Sequence, residues 1–88
     1  MELEDLTSEA RLLAHEIAHS LRRLDAAAHA APQKRVAAVL EAIDTRARVR
    51  RILSWAQLDP FHEADILARL RHLSERIRVV SASSPREP

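Results

Sequence analysis

Residues Leu12 to Leu24 read LLAHEIAHSLRRL, and the spacing of their apolar side chains decides the fold. A helix turns by about 100° per residue. On that wheel Leu13, Ile17, Leu21 and Leu24 fall on one side. The stripe extends back to Leu6 and Ala10 and forward to Ala28. Spacings of three and four are the signature of an amphipathic helix. His15 and His19 are four apart, so they sit one turn above the other on the opposite face, with Arg11, Arg22 and His29. The two histidines are therefore either ordinary polar-face residues or a site that faces a partner element.

The composition carries the same message to the whole chain. Its 88 residues make one small domain, near the lower limit for a self-sufficient core. There is no glycine, which excludes a glycine-rich phosphate loop, a dinucleotide fingerprint and a glycine-turned hairpin. One Phe, one Trp and no Tyr argue against a sheet or an aromatic nucleobase platform. No Cys means no disulfide and no thiolate metal site, in keeping with a reducing compartment. No apolar run is long enough to span a bilayer, and the first residues, MELEDL, are acidic where a signal peptide is basic. The expected address is cytoplasmic.

The net charge is +1, unevenly spread. Residues 1–31 hold six acidic and three basic side chains, and residues 32–58 hold two acidic and six basic ones. An acidic first helix beside a basic second helix suits packing within one chain or across a dimer.

Taken in order, the chain is expected to form a helical hairpin and a third helix, an all-α fold. The first helix spans about Leu3 or Thr7 to Ala30, with Thr7 or Ser8 as cap. Ala31-Pro32 breaks it. The second spans Pro32 or Gln33 to Gln57, and its apolar residues switch sides. Val36, Val39, Leu40, Ile43 and Ala47 share one side, while Val49, Ile52, Leu53 and Ala56 share another. In Asp59-Pro60, Asp59 reads as an N-cap and Pro60 as the first helical residue. The third helix carries Ile66, Leu70, Leu73, Ile77 and Val80 at four–three spacing. Residues 1–80 are expected to form one domain, and 81–88 (SASSPREP) a disordered tail.

These seams predict a protein-protein interaction module without enzymatic activity. A helix trio this small, with two apolar sides on its second helix, is expected to need more partner surface than it owns. The expected interface residues are Ile66, Leu70, Leu73, Ile77, Ile52 and Leu53. The expected assembly is a dimeric helical bundle, or a complex with another helical protein. The Val49–Ile52–Leu53–Ala56 side is the one expected to stay exposed in a lone monomer. Neither a membrane nor a nucleic acid is an expected partner. The arginine cluster from Arg46 to Arg51 comes with nearly neutral overall charge and few base-reading residues.

His15-Glu16-Ile17-Ala18-His19 also fits the zincin pattern His-Glu-x-x-His, and the resemblance covers about ten residues. It implies zinc as a cofactor, His15 and His19 as metal ligands, and Glu16 as the group that polarises a metal-bound water. A third ligand would have to come from Glu41, His62 or Glu63. The same stretch, with Ser20 and Leu21, resembles the phospho-acceptor box of sensor histidine kinases. That resemblance implies a dimerising helical hairpin with His15 as phosphoryl acceptor and Glu16 as general base. Ala18, His19 and Ser20 depart from that box, and the chain has no room for an ATP-binding domain. Leu58-Asp59-Pro60-Phe61, with Ser74 and Arg78, faintly resembles the last helix of the helical chorismate mutases. This implies an active site shared by two chains, with Arg35 and Arg46 among its cations.

Overall fold

The computed structural model describes residues 3–82, with side-chain environments from Ser8 onward except at Trp55. It contains three helices that all pack on one another: α1 (Leu3–Ala27), α2 (Pro32–Trp55) and α3 (Pro60–Ala82). The connections are short, Ala28–Ala31 and Ala56–Asp59, so consecutive helices run antiparallel. Cross-helix contacts fix the register. Glu16 meets Arg48, Ser20 meets Thr45 and Arg23 meets Glu41, one number rising as the other falls. Arg46 reaches Ser74 between α2 and α3, and Arg76 ties α3 back to Asp25 of α1.

The helix ends follow from local chemistry. Leu3 opens α1, so Thr7 and Ser8 lie inside the helix and do not cap it. Two α-helices end without any left-handed residue: no described residue has positive φ. Ala31 and Ala56 are extended instead (φ −62°, ψ 154° and φ −90°, ψ 140°), the former being the conformation that a following proline imposes. Pro60 opens α3 behind Asp59, whose Oδ1 accepts the His62 N–H at 2.9 Å. This is the expected cap. The helix then continues through Ser81 and Ala82, two residues into the expected tail, and the rest of that tail lies outside the described residues.

The core is built from Leu13, Ile17 and Leu24 of α1, Ala38, Ala42 and Val49 of α2, and Ile66, Leu73 and Val80 of α3, among others. Each large aliphatic side chain buried there contributes roughly 1.5–3 kcal/mol. The first and third helices bury the stripes their spacing announces. The second does not. Its buried row is Arg35, Ala38, Ala42, Thr45 and Val49, continued by half-buried Ile52 and Ala56 at the same three–four spacing. The side expected to be exposed is thus the buried one, and Val49 has no exposed surface. Outside lie Val36 (55% exposed), Leu40 (60%) and Ile43 (38%), with exposed Ala47 in line at four–three–four spacing.

A comparison of costs explains the choice. Turning the Val36–Leu40–Ile43 row inward would gain a few kcal/mol of burial. The same row continues through Arg50 and Ser54 and is flanked by Arg51. An unpaired buried guanidinium costs several kcal/mol. The inner row carries one arginine, Arg35, at its extreme end, where Nη1 donates to the Ala30 carbonyl at 2.8 Å.

Candidate functional site

The first candidate is the His15–His19 face of α1. Both imidazoles are solvent-exposed, as the stripe opposite them requires. Glu16 turns the other way, towards α2, and its Oε1 lies 3.2 Å from Nη2 of Arg48. The contact is ionic without hydrogen-bond alignment, since both Glu16 Oε1 and Arg48 Nε are left without a hydrogen-bond partner. Glu16 is therefore engaged in a helix–helix contact and does not stand between the two histidines. Among the described residues, no group of three His, Asp or Glu side chains converges to hold a metal ion. Glu41, the nearest of the named third ligands in sequence, is paired with Arg23 at 2.9 Å. His62 is held by its own cap, with Nδ1 2.6 Å from Asp59 Oδ2.

The arginines implied by the chorismate mutase resemblance do not gather either. Pro32 opens α2 after a break, so no single long first helix exists. Arg35 is buried at the start of α2, Arg46 contacts Ser74 at 3.4 Å, and Arg78 lies on the surface near Glu75 of its own helix.

The residues expected at an interface are placed in the chain's own core. Ile66, Leu70, Leu73 and Ile77 are buried between the three helices, and Ile52 and Leu53 pack half-buried against them.

Exposed apolar side chains gather on the outer side of α2, beside the groove between α2 and α3. Two clefts open along it. One, of about 150 Å³, is lined by Arg35, Val36, Val39, Leu40, Val80 and Ser81. The other, of about 300 Å³, is lined by Arg46, Arg50, Leu67, Leu70, Arg71 and Ser74. Between them run exposed Val36, Leu40, Ile43 and Ala47, with exposed Leu67 across the groove. Neither lining contains a carboxylate. A third, wider cleft of about 500 Å³ lies between α1 and α2 near their connection, floored by Ala26, Ala27, Ala30, Ala37 and Ala38.

Three arginines are held in ion pairs between helices, and those beside this groove are not, among the described residues. Arg23, Arg48 and Arg76 each meet a carboxylate across helices. Arg50 and Arg71 take part in no ion pair among the described residues. Arg35 is 7% exposed and uses only Nη1, leaving Nε and Nη2 without a hydrogen-bond partner. In the sequence Arg35 stands out only through the chorismate mutase resemblance, and its burial has no local signal, because a single arginine near a helix start reads as solvated. The outer row of α2 was visible as apolar but was assigned to the core.

Compared with known proteins, the chain matches no protein-family model, no curated protein and no solved structure. The functional reading rests on the geometry above. No described helix is long and apolar enough to cross a membrane.

Proposed function

We propose that the protein is a non-enzymatic helical interaction module that docks a further helix on the outer face of α2. The observation that carries this reading is the exposure of Val36, Leu40 and Ile43 at regular four–three spacing while the core is satisfied without them. A row at that spacing is what the facing seam of a helical bundle requires. Scattered exposed aliphatics are ordinary, whereas a row beside a groove is the pattern of an interaction surface. The docked helix belongs either to another protein or to a second copy of the chain, in which case the assembly is a dimeric bundle. The two histidine readings have less support, because Glu16 is engaged by Arg48 and, among the described residues, no third ligand stands beside His15 and His19.

The test is titration with a synthetic amphipathic helical peptide that has Leu at its seam positions and Gln at the flanks. Induced helicity is followed by circular dichroism for the wild type and for Leu40→Asp. Leu40 is exposed, so Leu40→Asp should melt like the wild type and lose the saturable signal. An equal signal from Leu40→Asp would overturn the reading.

A further inference from the structure

We infer that the helix taken up by the α2–α3 groove is an acidic amphipathic helix from another protein. This rests on the docking reading above and names its partner by chemistry. The groove offers an apolar row with a guanidinium group at each end. From Val36 to Arg50 it runs about 21 Å at 1.5 Å rise per residue, which matches a partner segment of about four turns. At the Val36 end, Arg35 lines the cleft with its Nε and Nη2 buried, and both lack a hydrogen-bond partner. Buried as they are, they act on a docked helix through the positive charge they place beneath that end of the row, which favours a carboxylate there. At the other end, Arg50 and Arg71 flank Leu67 with no carboxylate of their own. A helix with apolar residues at spacings of three and four, and Asp or Glu on its flanks, complements both the apolar row and its arginines. In helical bundles, flanking charges of this kind choose the partner.

The same charges argue against a second copy as the occupant. A two-fold interface sets a surface against itself. Here it would bring arginines against arginines, with no acidic residue in either cleft to relieve them. Uncompensated like charge at an interface is strongly unfavourable.

The experiment uses the full chain and three synthetic helical peptides with one shared Leu seam, their flanks being Glu, Gln or Lys. Binding is read by titration calorimetry at low and high salt. The Glu peptide should bind at least roughly tenfold tighter than the Lys peptide, with an advantage that shrinks as salt rises. The double variant Arg50→Glu, Arg71→Glu, which changes exposed residues only, should reverse the order. Arg35→Met, which keeps the aliphatic stem, should weaken the Glu peptide more than the Gln peptide. Equal affinities for the three peptides would overturn the acidic partner and leave docking intact. No binding by any peptide, with wild type and Leu40→Asp alike in every assay, would overturn both. Concentration-dependent self-association abolished by Leu40→Asp would give the groove to a second copy. Co-flotation with phosphatidylserine vesicles in preference to the Glu peptide would give it to a membrane surface. Either of these results overturns the inference.

Discussion

Asp59 shows how much one side chain does at a helix start. Its carboxylate accepts the backbone N–H of His62 and also contacts the His62 ring. These two hydrogen bonds, the backbone one first, hold its pKa below the ordinary value of 3.8. A carboxyl group whose pKa is lowered on folding stabilises the fold above its ordinary pKa, and that contribution fades as pH falls through the lowered value. Asp59→Ala should therefore melt below the wild type at neutral pH. The gap should close as pH drops below 3.8, as read by thermal melts across an acid series. A gap of constant size down to the most acid point would contradict the cap. His15 and His19 invite a second check at this scale. With both rings exposed and Glu16 held by Arg48, equimolar zinc should leave the melting temperature unchanged. A rise that disappears in His19→Ala would instead make the pair a metal site.

At the scale of the element, α2 is the helix that matters, because it carries two seams on one cylinder. Leu73 of α3 is fully buried and Leu40 of α2 is 60% exposed. Leu73→Ala should then cost about 2–5 kcal/mol. Leu40→Ala should change stability by no more than about 0.5 kcal/mol, as surface substitutions do. Urea denaturation of both variants measures the contrast. Similar losses would mean that the outer row is part of the core. The same contrast shows what the sequence made legible. The stripes of α1 and α3 were legible because large aliphatic side chains fill most inward positions from Leu13 to Leu24, Ser20 excepted, and all those from Ile66 to Val80. The cap at Asp59 was legible because the following proline marks the first helical residue. The inner row of α2 was hidden, because Ala38, Ala42 and Thr45 are small or polar and its first member is an arginine. Small residues suit that position, since they let α2 approach its two neighbours closely. The large residues drew the eye to the wrong side. They face out because turning them inward would have carried Arg50 into the core as well.

On the scale of the whole molecule, the three helices complete one core and leave the outer row of α2 exposed. Cross-helix ion pairs orient the hairpin, and with side chains nearly half exposed each contributes about 0–1 kcal/mol. Most of the stability therefore rests on the apolar core, and the chain does not need its outer α2 row in order to fold. The site itself was only partly legible. His15, Glu16 and His19 made a pattern that drew attention to α1, but the wheel turns Glu16 towards Arg48 and away from the histidines. Arg50 and Arg71 come together beside Leu67 only once α2 and α3 lie antiparallel, which no local pattern encodes.

The measurement that bears most directly on this account is backbone amide chemical-shift mapping of the ¹⁵N-labelled chain as the Glu-flanked peptide is added. The account predicts shifts concentrated on α2 from Val36 to Arg50 and on the facing side of α3 around Leu67, Arg71 and Ser74, with α1 around His15 and His19 unmoved. Shifts centred on His15 and His19, with the outer row of α2 unmoved, would contradict it.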